Sequence, residues 1–203
     1  DLSLRKWVTQ AIVTENGEDK IIESGHKAED DPEDVVKVDL KKSKINKVTI
    51  KFRYKIRVKN EGNIAGYAKE LKDYIPNGLK FVPEDNPLWK QIDEKTITTD
   101  QTKDILLQPG DTTEVEVVLT WINDSENFGV MDNWAEISKD HNDFNSPDID
   151  STPDNNKKGE DDIDDAPVSV GVQTGQIKTF TTIGLAVLVI LSSGVVLIKK
   201  FVL

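Results

Sequence analysis

The plainest signal along the chain is alternation. Val48, Ile50, Phe52, Tyr54, Ile56 and Val58 alternate with Thr49, Lys51, Arg53, Lys55, Arg57 and Lys59. A period of two places the first set on one face of a strand and the second on the other, which predicts a strand with one buried face. The run TEVEVVLTWI repeats the pattern, with Val115, Val117, Leu119 and Trp121 inward and Glu114 and Glu116 outward. A basic outer row also suits a polyanion, but cross-strand pairing with an acidic outer row explains it at lower cost.

Turn chemistry separates further short elements. Asn16-Gly17 in TENGEDK predicts a hairpin, NEGN and PNGL follow apolar runs, and QPGD precedes the Glu114 strand. Residues 23–34 and 141–165 are polar, interrupted by proline and predicted to be long loops. No helix longer than a turn or two is predicted before the C-terminal run, and no internal repeat is present. Closely spaced strands without alternating helices predict an all-β fold, an immunoglobulin-like antiparallel β-sandwich.

Residues 179–198, TFTTIGLAVLVILSSGVVLI, carry no charge and are followed by Lys199 and Lys200. Twenty helical residues span roughly 30 Å, the thickness of a bilayer's hydrocarbon core, so the run predicts a single transmembrane helix. The basic flank puts residues 199–203 in the cytoplasm and everything before Lys178 outside the cell. The predicted organisation is a surface domain over 1–172, a juxtamembrane linker over 173–178, the anchor and a basic tail. The chain begins at Asp1 rather than Met, which reads as a mature product or the excised end of a longer protein.

Composition narrows the partners. With 37 Asp and Glu against 26 Lys and Arg, the net charge of −11 disfavours nucleic acid and anionic lipid and is compatible with cations. Cysteine is absent, which excludes disulfides, thiolate metal sites and cysteine nucleophiles. Any covalent staple is therefore of another kind.

The same parity test exposes a conflict at LSLRKWV. Leu2, Leu4 and Val8 share a face with Lys6, although an unpaired buried ammonium is among the costliest groups a core can hold. In ELKDYIP, Asp73 shares a face with Leu71 and Ile75; in VMDNWAEI, Asn133 shares one with Met131, Ala135 and Ile137. Three core-facing rows thus each carry one polar residue. Amine, carboxamide and carboxyl are the groups needed to join a lysine to an asparagine by an amide, since burial favours a neutral nucleophilic amine and a protonated acid. The residues alone leave simpler readings open: an ion pair between Lys6 and Asp73, an amine reaching solvent at a sheet edge, and Asn133 capping a bend.

The segments DLSLRKWVT, FRYKIRVKNEGNIAGYAKELKDYIPNGLKFV, NWAEIS and DIDSTPDN…EDDIDDAPVSV resemble a cell-surface module of Gram-positive bacteria. That module is related to conserved-repeat surface domains and, more distantly, to stalk and collagen-adhesin domains. The likeness spans about the whole ectodomain, and Y-x-I-x-V-x-N-E-G followed by D-Y-I-P-N-G-L-x-F carries it best. The resemblance implies an immunoglobulin-like sandwich in a stalk or adhesin, with an intramolecular isopeptide bond from an early-strand lysine to a late-strand asparagine and a catalytic Asp or Glu. Lys6 and Asn133 match those placements and Asp73 falls within D-Y-I-P; Glu70 and Glu136 are nearby carboxylates on opposite faces. Before the anchor, VGVQTGQ resembles a sortase sorting signal in part: Thr174 and Gly175 remain, while Gly171 and Val172 stand where Leu and Pro belong. Cell-wall attachment by sortase and retention by the membrane helix are the two outcomes this implies.

The acidic loop offers Asp148, Asp150, Asp154, Asn155, Asp161 and Asp162, an oxygen-rich set of the kind that gathers around Ca²⁺. The spacing departs from the EF-hand pattern, and a solvated acidic loop is the simpler reading. A turnover enzyme is poorly supported, because His26 and His141 lie in polar loops with no nucleophile, phosphate-loop or zinc motif nearby. Two roles are left: a membrane-proximal structural module, and an adhesin that recognises a host or matrix ligand. The second requires an exposed aromatic patch, for which Trp89 in EDNPLWKQ is the candidate, while Trp7, Trp121 and Trp134 suit packing between strands.

Overall fold

The computed structural model describes residues 1–30 and 32–173. Eleven strands form two sheets within the compact unit Asp1–Val172. One sheet contains β1 (Leu2–Glu15), β2 (Glu18–Glu23), β4 (Val48–Asn60), β6 (Leu79–Phe81) and β9 (Thr112–Trp121), in the order β2-β1-β4-β9-β6. The other contains β3 (Val36–Leu40), β5 (Tyr67–Tyr74), β7 (Lys90–Gln91), β8 (Thr96–Thr99), β10 (Gly129–His141) and β11 (Ile163–Val172), in the order β3-β11-β10-β5-β8-β7. The only helical pieces among the described residues are short 3₁₀ turns at Lys42–Lys47, Pro83–Asp85 and Ser125–Asn127.

The inner faces follow the predicted alternation. Along β4 every residue from Val48 to Val58 in the apolar row is buried, and Val115, Val117, Leu119 and Trp121 of β9 are buried with it. These side chains pack against Leu71 of β5, Met131, Ala135 and Ile137 of β10, and Ala166, Val168 and Val170 of β11. In β1 the pairing with β4 slips between Val8 and Gln10, so the buried row passes from Val8 to Ala11. A one-residue bulge of this kind re-aims side chains that a strict period of two would place outward.

Two tight positions fix the turns. Asn16 and Gly17 both have positive φ (53° and 82°), the backbone of the predicted hairpin between β1 and β2. Gly78, at φ 92°, holds a backbone conformation that favours glycine, and a Cβ there would come within 2.7 Å of Met131 Sδ and displace that side chain.

Three expectations are corrected. The sandwich is not wholly antiparallel, because β3 pairs with β11 in parallel. The acidic loop is shorter than 141–165: β10 runs through His141 and β11 starts at Ile163, since Ala166, Val168 and Val170 supply a buried row that carries the charged Asp164 and Asp165 into the strand. Trp89 is buried, with its indole Nε1 donating to the Glu116 carbonyl at 2.8 Å, so it presents no aromatic patch. Among the described residues no helix is long and apolar enough to cross a membrane. The predicted span 179–198, Thr174 and Gly175 lie outside the described residues.

Candidate functional site

Lys6 sits on β1, opposite Ile56 of β4, and points into the space between the sheets. Asp73 and Asn133 come from the facing sheet, where β5 and β10 are paired with Ala135 opposite Asp73 and Trp134 opposite Tyr74. That register makes Asp73 and Asn133 diagonal neighbours on one face. The first sheet therefore supplies the amine and the second supplies the carboxyl and the carboxamide.

The three groups form a closed ring of hydrogen bonds. Lys6 Nζ donates to Asp73 Oδ2 and to Asn133 Oδ1, each at 2.5 Å. Asn133 Nδ2 donates to Asp73 Oδ1 at 2.8 Å and to the Tyr74 carbonyl at 3.0 Å. Lys6 is 2% exposed, and Asp73 and Asn133 are 0% exposed. All three side chains are thus satisfied without water, as a buried polar network must be. The sequence-predicted residues are brought together, while Glu70 bonds Ser138 and Lys139 and Glu136 lies under the acidic loop.

Burial is the largest influence on the Lys6 amine and pulls its pKa below the ordinary lysine range. Asp73, and more distantly Asp164 and Asp165, oppose the shift. Tyr54 of β4 flanks the amine, 5.0 Å from Lys6 Nζ to the ring centroid. Its hydroxyl is buried without a hydrogen-bond partner, and burial holds it well above the usual phenol range. Tyr54 escaped the sequence reading because it occupies an ordinary apolar position of β4.

The backbone that carries Lys6 is held by an uncommon device. From Leu2 to Val8 the edge of β1 turned away from β4 has no partner strand among the described residues, yet its amides at Leu2, Leu4, Lys6 and Val8 are occupied. Leu2 N donates to Asp148 Oδ2 (2.9 Å), Leu4 N to the Asp161 carbonyl (2.7 Å), Lys6 N to Asp164 Oδ2 (2.7 Å) and Val8 N to Glu33 Oε1 (3.3 Å). Three of these four acceptors are carboxylates from loops or from β11. They satisfy an edge that would otherwise invite another strand, and they fix the rotation of β1 that turns Lys6 inward. Glu33 also meets His26 Nδ1 at 2.9 Å, and burial pushes its carboxyl up to about 8.

The predicted calcium ligands are dispersed. One oxygen each of Asp1, Asp148 and Asp150 lies within 4.8 Å of the others. Asp161 is pushed up to about 6 by burial, then by Asp150 and Asp148. Asp154 instead pairs with Lys72. Asn155 donates to Glu160 Oε2 at 2.7 Å and accepts from Lys157 N at 2.8 Å. Asp162 is 3% exposed, and neither of its carboxylate oxygens has a hydrogen-bond partner.

No protein-family model matches the chain, and no curated protein matches it. Among solved structures it is similar to the pilus backbone RrgB from Streptococcus pneumoniae, with a TM-score of 0.32 and 8% identity over 67% of this chain and 31% of that one. The chain thus spans about a third of that neighbour's length. The two-sheet architecture and the Lys6 site stand on the strand pairing and contacts described above.

Proposed function

We propose that residues 1–172 are a structural module of a bacterial surface stalk, stapled internally by an amide between Lys6 and Asn133, with Asp73 as the group that moves protons. The observation that carries this reading is the dry three-membered ring in which one amine meets one carboxamide and one carboxyl. In the reaction a proton passes from the Lys6 ammonium to Asp73, and the neutral Nζ attacks Cγ of Asn133. Asp73 stabilises the tetrahedral oxygen, delivers its proton to the departing nitrogen and takes up the second proton of Nζ as the amide forms. The C–N bond to Nδ2 breaks, a C–N bond to Nζ remains, and one ammonia leaves. The step occurs once per molecule, so the reading is of a structural protein and not of a turnover enzyme.

The staple has a mechanical logic. It joins residues 127 positions apart and crosses from one sheet to the other. Tension entering at β1 passes through the amide into β10 and leaves through β11, so strands β2 to β9 carry none of it. By analogy with disulfides closing loops of this length, the lost entropy of the unfolded chain contributes roughly 5 kcal/mol. The remaining parts of the reading come from the sequence: display outside the cell, anchorage by residues 179–198, and attachment to the cell wall by a sortase acting at Thr174 as the alternative to simple membrane retention. The enclosure of Trp89 weighs against a ligand-binding adhesin.

Intact-mass spectrometry of the purified chain tests the staple. The expected mass is lower than the sequence mass by one ammonia, and Lys6→Ala has its full calculated mass. A full-mass wild-type chain makes the Lys6–Asp73 contact an ordinary buried ion pair.

A further inference from the structure

On β11, Asp164 heads the row of Ala166, Val168 and Val170, all 0% exposed, that faces the opposite sheet. Its register ties it to the Lys6 ring. Asp164 lies opposite Ala135 of β10, Ala135 lies opposite Asp73 of β5, and Asn133 and Ala166 form the next pair on that face. Asp164 Oδ2 accepts from the backbone N of Lys6 at 2.7 Å, while Asp73 and Asn133 accept from its Nζ. One residue of β1 is thus gripped at its backbone and at its side-chain tip from three neighbouring strands of the facing sheet. The other acceptors along this edge serve Leu2, Leu4 and Val8.

Register makes the backbone grip consequential. The amides bonded along the free edge belong to Leu2, Leu4, Lys6 and Val8, the residues whose side chains face inward. A slip of β1 by one residue would therefore turn Lys6 outward and withdraw its N–H from Asp164 in the same movement. The ladder to β4 already shifts between Val8 and Gln10, so the hairpin that pairs Gln10–Glu15 with β2 does not by itself fix the stretch that carries Lys6. The charge of Asp164 works in the opposite sense to the chemistry, because it favours the protonated, unreactive amine. What this carboxylate supplies is position.

We propose that Asp164 is a positioning residue for the Lys6–Asn133 amide: by accepting from Lys6 N it selects the register of β1 in which Nζ reaches the Asn133 carboxamide. The inference rests on the staple reading and deepens it. Asp164 forms no covalent bond and moves no proton; it holds the nucleophile's backbone on the strip of sheet that bears the electrophile, so that fewer arrangements of β1 compete with the reactive one.

The test follows the loss of one ammonia by intact mass during cell-free synthesis of the full chain, with samples quenched over time. Asp164→Ala should form the amide more slowly than wild type, on the order of tenfold. Asp164→Asn keeps an oxygen acceptor and removes the opposing charge, so it should react at least as fast as wild type. Val168→Ala, in the same row but with no polar group for Lys6 N, sets the rate of a chain whose core is merely loosened. Asp164→Leu fills the volume without an acceptor and replaces the alanine variant if that one fails to fold. An acceptor-free variant as fast as wild type, slowed no more than Val168→Ala, or matched in its slowness by Asp164→Asn, overturns the assignment. A wild-type chain that keeps its full mass at all times removes the staple itself, whereas ammonia loss in wild type beside an unslowed Asp164→Ala removes the role of Asp164 alone.

Discussion

The same chemical pair occurs in two settings in this molecule. On the outer face of β4, Lys55 meets Glu114 at 3.1 Å with the two side chains 34% and 32% exposed, and Arg53 meets Glu116 at 3.0 Å. Between the sheets, Lys6 meets Asp73 at 2.5 Å with both side chains fully enclosed. Outside, water solvates and screens both ions, so the pairs order an already stable surface and little more. Inside, water offers no alternative partner. Burial disfavours the charged form of the amine, whose Nζ bonds the Asn133 carboxamide oxygen as closely as it bonds Asp73. Exclusion of water, more than distance, distinguishes the two pairs, and it is the condition on which the proposed Lys6–Asn133 amide depends.

The largest effect is expected from breaking the inner pair on one side. Asp73→Ala leaves an uncompensated buried amine, which costs about 3–5 kcal/mol, and abolishes the staple, which removes roughly 5 kcal/mol more. Chemical denaturation and intact mass measure the two losses separately. Lys6→Met removes the staple but fills the volume with an apolar chain, so its loss should be clearly smaller than that of Asp73→Ala; equal losses would mean that burial of charge is not the governing term.

A smaller effect follows from Glu33, which clasps β1 two residues beyond Lys6. Its carboxyl is raised from 4.5 to about 8 in the folded state. A raised acid contributes its stability fully below the unfolded value and loses it as pH rises through the folded one, because the unfolded state releases the proton first. Stability attributable to Glu33 should therefore decline between about pH 4.5 and pH 8, by an amount on the order of a few kcal/mol. Glu33→Gln retains an acceptor for Val8 N and should flatten that slope in denaturation curves measured across the interval.

Tyr54→Phe probes the immediate surroundings of the buried amine. The hydroxyl has no partner, so its removal should leave stability unchanged or raise it by about 1 kcal/mol, with the amide still complete by mass. A fall in amide yield would give the hydroxyl a part in proton transfer. The smallest effect belongs to the outer row: Glu114→Ala should cost under about 1 kcal/mol, and less in high salt.

The inner pair was legible in the sequence because strands alternate. A single polar residue in each of three apolar rows marked Lys6, Asp73 and Asn133, and the resemblance to stalk domains supplied a reason for them to meet. The clasp on β1 was not legible, since backbone amides held by Asp148, Asp164 and Glu33 follow no period. Glu136 was placed by parity on an outer face, which was right; that a loop folds over this face and buries it depends on tertiary packing. Trp89 failed as a surface aromatic for the same reason, its loop closing back to the Glu116 carbonyl. The parallel β3 strand rests on the short VKVDL alternation, which says nothing about the direction of its partner.

The most direct measurement is peptide mapping of the digested wild-type chain by tandem mass spectrometry. The expected result is one branched species in which the peptide bearing Lys6 is joined to the peptide bearing Asn133, lighter than their sum by one ammonia and missing from Asp73→Ala. Recovery of the two peptides only as separate, unmodified species would contradict it.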